Sequence, residues 1–403
     1  LTSDAFRDAL AKGQGRTVLV LQHSDPAPFV DPILAACVKN LQWDRQCEEN
    51  RALYMMRLID LAGLQERALD AILEALPRSE AGWDRDWMVD LLEEFARRGD
   101  AKAWETLRSL AESGYKRAQN NLATANEAGL EWVVANILPN MSEDERCRIG
   151  YWLPDEEEDD RTALQRQMRL LDRDNDARRD AVRRAAPKPE PKASDFFRSL
   201  DDPKAPYASP VDFERLADVR QWRKAARRLM RETEGRPLRQ LEGAFRRGGF
   251  PLPAKTLFRQ ATHPKRGWAV MSILGTLDTA SVRRFALGLL RRRPLPWSAL
   301  ESIAASLRWG DEVVVLAALT STEGKTNKTR HNPILDVVGF MREHPKGRWQ
   351  PHAEWIYEHS PCSRCRASAV RWMGEHGVLP EAIREEGAYD AEPDVREHVA
   401  TKA

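Results

Sequence analysis

Apolar residues recur at helical spacing along most of the chain, and short glycine, proline or polar interruptions cut them into segments. Phe29, Val30, Ile33, Leu34, Cys37, Val38 and Leu41 fall at steps of three and four, the period of one buried helix face. The pattern continues through Leu53, Met56 and Ile59, then Leu64, Ala68, Leu69, Ile72 and Leu73, until Pro77 and Gly82 break it. Met88, Leu91, Leu92 and Phe95 form the next stripe, which ends at Gly99-Asp100, a helix stop followed by a cap. Val18–Leu21 has strand propensity, but its short length and its place between helical stripes predict a helix. Ser142-Glu143-Asp144-Glu145 reads as a capping box opening a helix that carries Cys147 and Trp152.

The periodicity then fails. Residues 154–161 are an acidic run, 161–186 a highly charged helix with a thin apolar stripe, and PKPEPKAS at 187–194 a proline-rich linker. Residues 195–210 hold Phe196, Phe197 and Tyr207 among prolines, which predicts an irregular segment docked by its aromatics. Helical stripes resume at Phe213, Leu216, Val219, Trp222, Ala226 and Leu229. Pro237 suits a first helical turn, and Gly248-Gly249 a stop. Further stripes cover Trp268–Leu277, Val282–Leu290, Leu300–Leu307 and Val313–Leu319. A long polar loop is expected at 321–332, then helices over Ile334–Met341 and Ala353–Tyr357. Three segments result: acidic helices over 1–160, a charged helix and linker over 161–210, and basic-then-neutral helices over 211–403. The expected class is all-α.

The last stretch carries the most specific pattern. Asp390-Ala-Glu-Pro393-Asp-Val395-Arg396 pairs a capping Asp with a helix-opening Pro and a Val-Arg step, and Arg366-Ala-Ser-Ala-Val370-Arg371-Trp-Met-Gly374-Glu-His-Gly377 is the matching segment upstream. Asp278-Thr-Ala-Ser-Val282-Arg283-Arg-Phe-Ala286 repeats the theme without the proline. These segments resemble HEAT repeats, and the chain looks like a divergent member of the bacterial HEAT-like proteins. The resemblance implies an α-solenoid of stacked antiparallel helix pairs, because a helix pair alone leaves an apolar face that only a neighbour covers. It implies a non-enzymatic scaffold that binds a protein partner on its concave face, since the fold itself fixes no chemistry. HEAT-like DNA base-excision enzymes work with Trp and Asp in a concave groove, so the resemblance also leaves a base-excision enzyme as a distant alternative, with no catalytic residue carried over by position.

Composition narrows the function classes. Hydrophobic residues make up 42% of 403, enough for a buried core, and the formal net charge is +1. That average conceals a gradient: about 18 basic against 31 acidic residues over 1–160, and about 21 against 8 over 211–310. The cysteines are five, an odd and sparse set, which argues for a reducing, cytoplasmic setting and against a disulfide framework. No apolar run reaches membrane-spanning length, and the first residues have no secretion-signal core.

Arg220, Arg223, Lys224, Arg227, Arg228 and Arg231 repeat at three- and four-residue steps, so several share one helix face. Arg246, Arg247, Lys265, Arg266, Arg283, Arg284, Arg291, Arg292 and Arg293 gather near helix ends. Stacked helices can align such residues along a phosphate backbone, with Trp222, Trp268, Trp297 and Trp309 interleaved as stacking platforms. The competing reading is that the arginines neutralise the acidic segment and the tryptophans are core.

His359, Cys362 and Cys365 form H-x-x-C-x-x-C. With Ser360 as N-cap and Pro361 as first helical residue, Cys362 falls in a first turn, where the helix dipole favours thiolate. A redox pair and a pair of metal ligands are both sensible chemistry; two small residues packing a repeat interface are the alternative. His376 lies about 16 Å along the helix from Cys365, too far to be a fourth ligand. Gly324-Lys325-Thr326 after an apolar run imitates the end of a phosphate-binding loop, but position 319 is Leu where that loop needs Gly. No nucleophile triad stands out, and no cofactor is expected.

Overall fold

In the computed structural model of the chain, residues 1–43, 51–80, 82–137, 177, 190–202, 204–233, 235–296 and 298–400 are described. The capping box at 142–145, the acidic run, the charged helix apart from residue 177, and the first three residues of the linker fall outside them, as do Cys47, Cys147 and Trp297. Among the described residues every regular element is helical. The chain divides into two compact units, Leu1–Lys188 with Glu385–Arg396, and Pro189–Arg384 with Glu397–Ala403.

The first unit starts with α1 (Ser3–Lys12), whose N-cap Thr2 accepts a hydrogen bond from the Ala5 N–H. It continues through α2 (Arg16–His23), α3 (Val30–Val38), α4 (Arg51–Leu61), α5 (Gln65–Ala75), α6 (Trp83–Arg97), α7 (Ala101–Glu112), α8 (Lys116–Ala125) and α9 (Glu127–Asn136). The Val18–Leu21 run is helical, as its neighbours predicted. Asp100 caps α7, its carboxylate accepting from the Ala103 N–H at 2.9 Å, directly after the left-handed Gly99. Buried residues such as Phe6, Ile33, Met55, Ile59, Leu92 and Leu107 form the core, with the Phe6 and Phe29 rings stacked at 4.3 Å. α2 packs on α4, α4 on α6 and α6 on α8, while α3 packs on α5.

The α6–α8 seam is polar. Asp86, Asp90, Glu93 and Arg97 lie along one face of α6 at steps of three and four. Arg117 grips Asp90 through two bonds of 2.6 and 2.7 Å, Asn121 adds a third, and Thr124 donates to Glu93. Burial pushes the Glu93 carboxyl up to about 7 against the attraction of Arg97.

Residues 385–396 complete this unit. The Ala391 N–H donates to the Gly13 carbonyl at 2.8 Å, Arg16 pairs with Glu386 at 2.8 Å, and the Arg57 guanidinium lies 4.4 Å over the Tyr389 ring. Gly15 makes the approach feasible: a Cβ there would sit 2.0 Å from the Glu386 carbonyl oxygen. The Asp390–Arg396 segment that resembles a repeat thus packs against the first helices of the chain.

The second unit contains α10 (Ala193–Asp201), α11 (Pro210–Leu216), α12 (Val219–Leu229), α13 (Gly235–Gly248), α14 (Lys255–Phe258), α15 (Gly267–Leu274), α16 (Ala280–Leu290), a 3-10 helix at Glu301–Ser306, α17 (Glu312–Thr320), α18 (Asn327–Glu343), α19 (Gln350–His359) and α20 (Ser363–Glu375). Two further helices, α21 (Glu381–Gly387) and α22 (Pro393–Ala400), end the chain. Two expectations need correction. Residues 193–201 are helical rather than irregular, because Asp195 accepts from the Lys192 N–H and closes the first turn. Their aromatics do dock: Phe196 stacks on Phe213 at 4.2 Å, and Trp222 and Phe245 extend the cluster. The loop expected at 321–332 stops at 326, since Thr326 caps α18 by accepting from the Thr329 N–H. No helix among the described residues is long and apolar enough to cross a membrane.

Candidate functional site

The arginines of 220–293 separate into two populations. α12 is fixed by a reciprocal capping box in which Asp218 and Gln221 exchange bonds of 2.8 Å. Ala225, Ala226 and Leu229 are its buried face. Arg220, Arg223, Lys224, Arg227 and Arg231 project outward and are exposed. Lys224 lies 4.3 Å over the Phe197 ring. Arg228 is committed to Asp201 and Glu232, each at 3.2 Å, and Arg246 to Glu242 at 3.4 Å. Arg283 is held more firmly. Its Nε and Nη2 donate to the two oxygens of Asp311 at 2.8 and 2.6 Å, and the Asp311 side chain is only 5% exposed. That hydrogen bonding raises the guanidinium pKa further. Arg266 is buried, donating to the Met230 carbonyl. By contrast, Arg220, Arg223, Arg227, Arg231, Arg247, Arg284, Arg291 and Arg292 are exposed and make no ion pair with a described residue.

The tryptophans separate as well. Trp222 sits in the aromatic core between Phe213 and Phe245, and Trp268 is half-buried. Trp309 is 65% exposed, with the Arg348 guanidinium 5.0 Å over its ring. It opens on a cavity of about 360 Å³ whose walls include Arg308, His344, Lys346 and Trp349. An exposed indole beside cationic side chains can stack a base and hold its phosphate.

Folding brings together a group of acids that the sequence did not reveal. Ser272 donates to Glu242 at 2.6 Å. Burial raises the Glu301 carboxyl, and burial together with Glu301 pushes Asp336 up to about 8.

The cysteine motif acquires a different third member. His331, Cys362 and Cys365 place their ligand atoms within 4.8 Å of one another, with the Cys365 sulphur 3.8 Å from His331 Nε2. His359 is elsewhere: it ends α19 and its ring lies tilted against Trp355, with the centroids 4.6 Å apart. The helix also starts later than Ser360 and Pro361 suggested. Cys362 is the N-cap of α20, while Ser360 forms a tight turn, its Oγ donating to the Cys362 carbonyl and accepting from the Cys362 N–H, both at 3.1 Å. Both thiols are buried and His331 half-buried. Hydrogen bonding from the Cys365 side chain, aided by His331 and the Cys365 backbone N–H, holds the Cys362 thiol well below the ordinary cysteine range despite its burial. Cys37 is the contrast, pushed up to about 12 by burial. His331 was assigned to the long polar loop at 321–332; the signal for its helix was Thr326, a residue type suited to a helix N-cap.

Gly324-Lys325-Thr326 follows a helix, α17, and not a strand, so the phosphate-binding-loop arrangement is absent. Compared with known protein families, curated proteins and solved structures, the chain matches none.

Proposed function

We propose that this chain is a non-enzymatic scaffold of stacked helix pairs whose second unit binds nucleic acid through exposed arginines. The supporting observation is the set Arg220, Arg223, Arg227, Arg231, Arg247, Arg284, Arg291 and Arg292, exposed and without ion-pair partners among the described residues. Guanidinium groups left in water gain most from an external anion, since binding releases the counterions condensed on a phosphate backbone. Exposed Trp309 beside Arg348 supplies a stacking surface of the kind single strands use. The solenoid reading draws on the contact order within each unit. Helices touch the next but one, as in α2–α4–α6–α8, α11–α13–α15 and α18–α20, which is how stacked pairs form two rows.

A protein partner is the second reading. Val211, Leu216 and Val219 are exposed on α11 and α12 directly before Arg220, and apolar residues next to arginine are common at protein interfaces. Anisotropy titrations with labelled single-stranded and duplex oligonucleotides, and with polyglutamate as an acidic-peptide control, separate the two. Nucleic-acid binding that weakens with salt and exceeds polyglutamate binding supports the first reading; equal or absent oligonucleotide binding at low salt refutes it.

A further inference from the structure

We propose that His331, Cys362 and Cys365 bind a zinc ion. The donor set is two thiolates and one imidazole, which suits a tetrahedral d10 ion with borderline-soft character. Their mutual approach within 4.8 Å matches donors arranged around one metal, whose bonds to sulphur and nitrogen are roughly 2.0–2.3 Å long. The described residues supply three of the four donors zinc takes, as in sites that keep one position for water or an incoming ligand.

The backbone around the cluster is built to hold it. The Ser360 turn fixes the chain entering Cys362, and Ser363 and Arg366 in the following turn are fully buried. Arg330, adjacent to His331, donates to the His359 carbonyl at 3.0 Å. That bond ties the first turns of α18 to the loop before Cys362 and sets the height of the imidazole relative to the sulphurs. Zinc here would cross-link α18 to the N-terminus of α20. Either of the two sulphurs still protonated gives up its proton to solvent on binding, the metal keeps its charge state, and no oxidant or reductant is involved.

The inference is separate from nucleic-acid binding, so its failure leaves the arginine reading untouched. The test uses the full chain, reduced, stripped with chelator, reconstituted with zinc and desalted, with metal content read by mass spectrometry. Cobalt(II) in place of zinc reports thiolate coordination by its charge-transfer absorption. The expected result is about one zinc per chain and a cobalt–thiolate band. Zinc and band are lost in Cys365→Ser and His331→Ala and kept in His359→Ala. Circular dichroism establishes that the variants remain helical, and a variant that unfolds is replaced by His331→Gln, which keeps a polar side chain of similar size. Three results would overturn the proposal: wild type that retains no more zinc than a Cys362→Ser, Cys365→Ser double variant, full retention in a helical His331 variant, or reduced thiols that form a disulfide readily in air and are not protected by zinc. The last outcome would assign the pair to redox chemistry.

Discussion

Arg283 and Arg284 are neighbours of the same type, and the structure gives them opposite roles. Arg283 makes two charge-assisted hydrogen bonds to Asp311, whose side chain is 5% exposed, while its own side chain is 36% exposed. Removing it in Arg283→Ala leaves that carboxylate with the Arg308 N–H at 2.9 Å as a remaining donor. Breaking a fully buried pair costs roughly 3–5 kcal/mol and a surface pair at most about 1 kcal/mol. The half-open geometry puts this one at about 2.5 kcal/mol, or about 5–10 °C in Tm for a unit of this size. Arg284→Ala, exposed and unpaired, should change stability by no more than about 0.5 kcal/mol. Binding should show the reverse. Arg284→Ala should reduce the slope of log affinity against log salt by about one contact, and Arg283→Ala should leave it nearly unchanged. Urea denaturation and oligonucleotide anisotropy on the same two proteins give both numbers. Equal stability losses, or a slope lowered as much by Arg283→Ala, would refute the division of the arginines.

Two further predictions test the fold. Gly15→Ala should destabilise the first unit by about 1–3 kcal/mol, because its Cβ would meet the Glu386 carbonyl oxygen at 2.0 Å; an unchanged urea midpoint would mean that residues 385–396 do not pack there. His352 is 1% exposed, its Nε2 bonded to the Glu312 carbonyl at 2.9 Å, and burial lowers its pKa to about 4 from 6.5. The unfolded chain therefore takes up a proton between those values while the folded chain does not. Stability from this site is complete above about pH 6.5 and is lost as pH falls toward 4, by about 2–3 kcal/mol. His352→Gln should show a shallower loss over that window in urea unfolding, and an identical pH profile would contradict the burial argument.

The helical class was legible because apolar spacing depends on short-range geometry. Stripes such as Met88–Phe95 and the stop at Gly99-Asp100 needed no tertiary information. Where charge and proline dominated, the reading failed: residues 193–201 are helical because Asp195 closes the turn, a local bond that composition hides. The cysteine motif was visible and its histidine was misassigned. His359 is near in sequence, but His331 reaches the sulphurs from another helix, and only packing reveals that. The same limit applied to the arginines. Their clustering was plain in the sequence, whereas the pairing of Arg283 with Asp311 joins positions 28 apart that no periodicity connects. Asp336 and Glu301 likewise meet only through folding.

The most direct test of the central claim is the salt dependence of oligonucleotide binding by the full chain, compared with a variant carrying Arg220→Ala, Arg223→Ala, Arg227→Ala and Arg231→Ala. Arg220, Arg223 and Arg227 lie on the outer face of α12 and Arg231 in the turn that follows it; all four are exposed and make no ion pair among the described residues, so the variant should fold as the wild type does. The account predicts that wild-type affinity falls steeply and linearly with log salt, and that the variant loses roughly three to four contacts from that slope. Absence of binding at low salt, or an unchanged slope in the variant, would contradict it.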